Sequence, residues 1–192
     1  MQRLTKPRIA PLDLAEIQEE TLGELFPNRS FDNALNINKT LARHPRLYKQ
    51  WLPFAVYLLS EQSLPKRDRE ILILRIGWLC QAPYEWQAHV HLAKAFGLND
   101  EEIERIKQGP QASGWTELDE LLLRAVDELH GDAMISDTTW EGLSKNYNTE
   151  QLIDLIFTVG QYNLVCMALN SLGIQIDERL SRGQPSRGSI RG

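Results

Sequence analysis

Residues Arg67–Asp100, RDREILILRIGWLCQAPYEWQAHVHLAKAFGLND, decide how this chain folds. After Pro65 comes a run that is apolar almost all round, with Ile71, Leu72, Ile73, Leu74, Ile76, Trp78 and Leu79. No two-residue alternation runs through it, and apolar residues on every side mark a buried helix, not a surface one. Asp68 and Glu70 fall in its first turns, where the helix dipole favours carboxylates. The pattern predicts a helix over 66–80, stopped by Pro83. A second follows from about Tyr84 to Phe96 and ends at Gly97, a residue suited to the left-handed position after a helix.

The same signals recur on both sides. Downstream, Asn99 with Glu102 forms a box-like cap, and Gly109-Pro110 stops that helix. Thr116 with Asp119 opens another, running to Gly131. Ser136 or Asp137 starts one at Trp140–Asn146, and Thr149 opens a pair of apolar helical stretches to Ile174 with a break near Gly160. Upstream, Leu35, Ile37, Leu41 and Leu47 suggest a helix up to His44-Pro45. Another, from Arg46 to about Leu59, would place Leu47, Trp51, Phe54, Ala55 and Leu58 on one side. No stretch alternates as a strand does, so the expected fold class is all-α. Three segments are expected: an extended arm over 1–30 with one helical turn after Asp13, lying on the surface or on a neighbouring subunit; a helical domain over 31–178; and a flexible basic tail over 179–192 carrying Arg179, Arg182, Arg187 and Arg191. The segment His91–Leu98 echoes Met167–Ile174, which points to two related helical hairpins.

The chain has 192 residues, 42% hydrophobic and 24% charged, enough for one full domain or two small packed halves. A net charge of −5 and a pI near 5.4 argue against a nucleic-acid-binding domain. The most apolar segment, Leu152–Ile174, is interrupted by Asp154, Gln161, Asn163 and Asn170, so it reads as protein core and no membrane partner is expected. The N-terminus lacks the apolar core of a signal peptide, and Cys80 and Cys166 form no disulfide or metal framework. A cytoplasmic location is the expectation.

Glu70 is the most informative charge. On a helix it shares a face with Ile73, Leu74 and Gly77, and desolvation there would raise its proton affinity toward that of a useful base. The structural alternative is a first-turn glutamate paired with Arg67 or Lys66. Gly77 leaves room for another backbone or a ligand. Glu85 and His89, four residues apart, lie side by side on one helix, an arrangement suited to a proton shuttle or to a hydrogen-bonded core histidine. His91 points to the opposite side, and no third ligand falls in register for a metal. Cys80 has apolar neighbours, a setting that suits a structural cysteine better than a reactive one, and Cys166 reads as core. No nucleophile elbow, phosphate-binding glycine loop or dinucleotide fingerprint is present.

Taken together, Arg67, Arg69, Glu70 and Arg75, then Tyr84, Glu85, Trp86 and His89, then Ala93, Gly97, Leu98, Glu102 and Ile103 follow a familiar order. With His44-Pro45, Trp51, Gly160-x-Tyr162-Asn163 and Leu169-Asn170, the pattern resembles the carboxymuconolactone decarboxylase family, which includes alkyl hydroperoxide reductase D. The likeness covers roughly residues 30–178. It implies an all-helical fold with an internal duplication, a small-molecule substrate, no cofactor, and homo-oligomers, trimers or hexamers before dimers. In the thiol-dependent members a Glu stands nineteen residues before a His, and the cysteines of a CxxC stand seven and four before it. Counting back from His89 gives Glu70, Ala82 and Glu85. The acid–base frame is kept, both thiol positions are lost, and Cys80 falls two residues early. The resemblance thus favours decarboxylation or proton transfer on a small lactone or keto acid. His89 would be the proton donor tuned by Glu70 or Glu85, with Tyr84 or Arg67 as an anion contact and Trp86 against the substrate. Two alternatives stay open: a thiol peroxidase using Cys80, and a non-catalytic helical oligomer whose buried Glu and His bridge helices.

Overall fold

A computed structural model describes residues 2–181, and all regular structure among them is helical. In chain order the helices are α1 (Glu19–Leu25), α2 (Asn36–Leu41), α3 (Pro45–Val56), α4 (Lys66–Leu79) and α5 (Pro83–Ala95), then α6 (Asp100–Ile106), α7 (Glu117–Asp132), α8 (Asp137–Ser144), α9 (Thr149–Leu172) and α10 (Glu178–Ser181). The described residues form two compact units, one of residues up to Ser60 with those from Ala168 onward, the other of Glu61–Met167. These units do not follow the expected boundaries at residues 30 and 178.

In the first unit, Leu12, Leu25, Phe26, Phe31, Ala42 and Tyr48 form one apolar cluster. Phe26 packs edge-on against Phe31 at 5.0 Å and stacks on Tyr48 at 5.7 Å. The turn after Asp13 is present and closed by a capping box with Glu16. Leu12, Leu25 and Phe26 are buried, however, so the segment expected as an arm supplies core. On α3 the buried residue is Tyr48, while Leu47 and Phe54 are exposed. The Tyr48 contact with Phe26 sets the helix rotation, which corrects the face expected from apolar spacing alone. At the far end Arg179 donates to the Asn33 carbonyl at 2.5 Å and Leu180 is buried, so residues 179–181 belong to the fold. The rest of the expected basic tail, 182–192, lies outside the described residues.

In the second unit α4 is central. Ile71, Leu72, Ile73, Leu74 and Ile76 are each fully buried, and α4 lies against α5 and α7. Burying each such side chain contributes about 1.5–3 kcal/mol, which is why an all-apolar helix takes this place. Gln81 turns the chain with a left-handed φ of 49°, and Pro83 then opens α5 at a position where its missing N–H costs nothing. The space beside Gly77 is filled by α5: a Cβ there would stand 3.5 Å from Glu85 Cγ and 3.7 Å from Trp86 N. The Asn99–Glu102 box and the Thr116 and Ser136 caps are all formed.

The expected break at Gly160 is absent, and α9 runs unbroken through it. One glycine costs a helix interior about 1 kcal/mol, less than the apolar burial on either side contributes. This helix is long and apolar enough to cross a membrane by length and composition, and 56% of its most apolar 18-residue stretch is buried inside the fold. The reading of the segment as core thus holds for one face only. Leu152, Leu155, Val159 and Tyr162 are buried, while Ile153, Phe157, Leu164 and Met167 are exposed. The sequence echo has a physical counterpart in how α5 and α9 end. Gly97 and Gly173 both have positive φ, and the next residue's N–H bonds back across the turn, Leu98 to Ala93 O and Ile174 to Leu169 O.

Candidate active site

Glu70, in the second turn of α4, is 0% exposed. Its two carboxylate oxygens are divided between two cations. Oε1 accepts from Arg69 Nη2 at 2.8 Å and Nε at 3.1 Å, and Oε2 is bonded to His89 Nδ1 on α5 at 2.7 Å. On the other edge of the imidazole, Nε2 stands 3.0 Å from Glu85 Oε1, one helical turn back. That contact is ionic and not aligned: among the described residues Glu85 Oε1 has no hydrogen-bond partner. The ring of Tyr162, from α9, meets the imidazole edge-on with centroids 5.1 Å apart, and Phe96 lies 5.3 Å from the Arg69 guanidinium.

These neighbours determine protonation. Burial is the strongest influence on His89 and disfavours the imidazolium, but the charges of Glu70 and Glu85 together outweigh it and push the pKa up to about 10. At neutral pH the ring is a cation, with Nδ1–H donating to Glu70. Two carboxylates, one guanidinium and one imidazolium then balance, which lets four charged side chains share a buried space. Tyr162 is held as a neutral phenol, first by burial and then by Glu85 and Glu70.

Three residues singled out from the sequence, Glu70, His89 and Glu85, are thus brought together. Arg67 turns away. Its guanidinium takes Asp119 Oδ1 at 2.5 Å and Oδ2 at 3.2 Å, with Glu102 Oε1 at 2.7 Å, so it is no anion contact at His89. Trp86 packs on Trp78 at 5.6 Å, and Lys107 Nζ stands 5.0 Å from its ring and 5.3 Å from that of Trp78, so it belongs to an aromatic–cation cluster. Tyr84 is buried in the first turn of α5, directly before Glu85. Lys66, one expected partner of Glu70, lies over Phe96. Cys80 is half-buried and its thiol donates to Asn163 Oδ1 at 3.0 Å, while Cys166 is fully buried.

Arg69 and Tyr162 are the site residues that sequence reasoning missed. Arg69 stands directly before Glu70, but a long side chain on an all-apolar helix has no amphipathic pattern to show its direction. Tyr162 carried a signal in the Gly160-x-Tyr162-Asn163 match, without an indication of what it would touch.

Residues 45–128 match the sequence profile of the carboxymuconolactone decarboxylase family. No curated protein matches the chain. Among solved structures, it resembles an uncharacterized peroxidase-related protein from Silicibacter sp. TM1040, with a TM-score of 0.75 and 16% identity, covering 94% of this chain and 98% of that one. A peroxidase-related protein from Ralstonia eutropha JMP134, described as an alkylhydroperoxidase AhpD core, superposes with a TM-score of 0.74 at 14% identity over 90% of this chain and 94% of that one. The debrominase Bmp8, carrying a cysteine-to-alanine substitution and in complex with 2,3,4-tribromopyrrole, gives 0.72 at 14% identity over 93% of this chain and 96% of its own. These identities speak to the fold, which is that of the AhpD-like helical proteins. The match to the carboxymuconolactone decarboxylase family runs from α3 through the first three turns of α7, and so includes Glu70, Glu85 and His89.

Proposed function

We propose that the chain is an enzyme that moves a proton at His89, without a cofactor, on a small lactone or keto acid, in a decarboxylation or an isomerising proton transfer. The observation that carries this reading is the imidazole gripped by two buried carboxylates from two helices, at 2.7 and 3.0 Å. Loss of carbon dioxide from such a substrate leaves an enolate, which must be protonated at carbon. His89 carries the proton, Glu70 fixes the ring orientation through Nδ1, and Nε2–H is the edge not committed to an aligned bond. A pKa near 10 makes the resting imidazolium a poor acid. A substrate that draws Glu85 away from Nε2 would lower it and release the proton where the enolate forms. The neutral Tyr162 phenol next to the ring is suited to steady the developing oxyanion.

The neighbouring debrominase and peroxidase-related proteins show how far chemistry varies on this fold, so the substrate class rests on the side chains alone. Thiol chemistry is the weaker reading. Ala82 and Glu85 occupy the two cysteine positions, and the Cys80 thiol is engaged by Asn163. The burial of Glu70 and His89 favours a different second reading, a structural ion cluster that only joins α4 to α5. A thermal-shift screen of small lactones, keto acids and peroxides, followed by turnover assays on the hits, separates the three. Under the acid–base reading a lactone or keto acid raises the melting temperature, and Glu70→Gln and His89→Gln each lower turnover by about 10²–10⁴-fold with the fold retained. Turnover at the wild-type rate in both variants would leave the cluster a structural role only.

A further inference from the structure

Building on the acid–base reading of His89, we propose that Glu85 is the general base of the same site. The pair enolises a small carbonyl compound that carries a hydrogen on the carbon next to the carbonyl. The two carboxylates beside the imidazole are bonded unequally. Glu70 accepts from Arg69 at 2.8 and 3.1 Å and holds His89 Nδ1 at 2.7 Å. Glu85 Oε1 lies 3.0 Å from Nε2 but makes no aligned bond, and among the described residues it has no hydrogen-bond partner. A buried acceptor left open is costly, and a brace between helices gains nothing from it. A carboxylate that takes a proton in each turnover needs that lone pair open.

Exposure and packing favour the same edge. The Glu70 side chain is 0% exposed, that of Glu85 4% and the imidazole 8%, so the little surface these three side chains show lies on the Glu85–His89 side. The Glu85 stem is held against α4, where a Cβ at Gly77 would stand 3.5 Å from its Cγ. Tyr162, kept a neutral phenol by burial and by the charges of Glu85 and Glu70, is a donor beside the pair and no rival base.

The 3.0 Å spacing fits the step. An α-carbon and its carbonyl oxygen stand about 2.4 Å apart, so a base atom and an acid atom side by side span them. Glu85 Oε1 takes the proton from carbon. The C–H electron pair becomes the new C=C bond, and the carbonyl π pair moves onto oxygen, which takes the proton from Nε2. Protonation also removes the Glu85 charge from beside the ring, so the imidazolium gives up its proton more readily just as the oxygen needs it. The product leaves as an enol, with Glu85 a carboxylic acid and His89 a neutral imidazole. Passing the proton across the short gap from Oε1 to Nε2 restores both, and the cycle closes without a co-reactant.

Phenylpyruvate, a 2-keto acid, is the probe, and NMR reads deuterium gained from heavy water at the carbon next to its carbonyl. The expected result is exchange faster than in buffer, lowered about 10²–10⁴-fold in Glu85→Gln. If Glu85 only tuned the ring, that variant would match or exceed wild type, because the imidazolium would hold its proton less firmly. Should it misfold, Glu85→Asp keeps the charge, draws the oxygens back by one methylene and gives a second reading, with a smaller loss. Loss of carbon dioxide from oxaloacetate, measured on the same preparations, separates the base from the reading beneath it. Decarboxylation that His89→Gln abolishes, in a wild type that does not exchange phenylpyruvate, overturns the base and leaves the acid–base reading of His89 standing. Exchange at the wild-type rate in Glu85→Gln, with exchange lost in His89→Gln, does the same. Neither reaction above the buffer rate removes both.

Discussion

Successive turns of α4 hold two ionic clusters built from the same kinds of residue and differing in what they are able to do. The outer one gathers Asp119 and Glu102 around Arg67, whose side chain is 30% exposed. The inner one gathers Arg69, His89 and Glu85 about Glu70, which has no exposure at all. Around Arg67 the cation is permanent, and hydrogen bonding to Asp119 holds its proton still more firmly. Around Glu70 one cation is an imidazolium, whose proton belongs to it only while two carboxylates stand close. Similar charges therefore make a fixed brace in one place and a proton store in the other. The presence of a histidine, more than the number of charges, separates them.

The sharpest way to break this comparison is to empty the inner cluster. Glu70→Ala strands Arg69 and His89 in a buried space and is expected to cost about 3–5 kcal/mol in denaturant unfolding, with activity lost. A stability near wild type would mean that water already reaches the site. Next in size is the effect of pH. Because the folded pKa of His89 is raised from 6.5 to about 10, its stabilisation is fully present below pH 6.5 and is lost as pH rises through about 10. Ring NMR signals of His89 should therefore stay in the protonated form at pH 8, and stability should fall over that window in wild type more than in His89→Gln. In the outer cluster Arg67 keeps its proton throughout, held more firmly than usual by Asp119. Asp119→Ala, which removes the two-oxygen partner of Arg67, is expected to cost about 1–3 kcal/mol and to leave turnover within about twofold, checked by unfolding and by assay on the same preparation. If this variant abolished activity, the division between brace and proton store would fail. The smallest effect belongs to Gly77→Ala. The added methyl meets Glu85 at an ordinary contact distance of 3.5 Å, so the change in stability should be under about 1 kcal/mol.

What could be read from the sequence follows from what local chemistry determines. The all-round apolar α4, the caps at Asn99, Thr116 and Ser136, and the glycine stops were legible because each depends on residues a few positions apart. Glu70, His89 and Glu85 were legible because two helices joined by a short link leave few ways to place them, and the family resemblance supplied the spacing. The direction taken by Arg67 was not, since Asp119 and Glu102 reach it from helices well downstream. The capture of Trp86 by Trp78 and Lys107, and the approach of Tyr162 to His89, were hidden for the same reason. The continuity of α9 through Gly160 shows the other limit. A glycine weakens a helix by about 1 kcal/mol, and tertiary burial overrides it.

The three-residue link between α4 and α5 has a consequence for how this sequence can drift. Cys80, Gln81 and Ala82 hold the two helices at a set phase, so the nineteen positions between Glu70 and His89 act as a ruler. One residue inserted inside α5 after Glu85 would swing the imidazole by about 100° and carry it off both carboxylates. Many single replacements along this stretch can be absorbed, whereas a change of length cannot. Relatives that keep this chemistry should be recognisable by an unchanged count between the glutamate and the histidine even where little else in the stretch still matches.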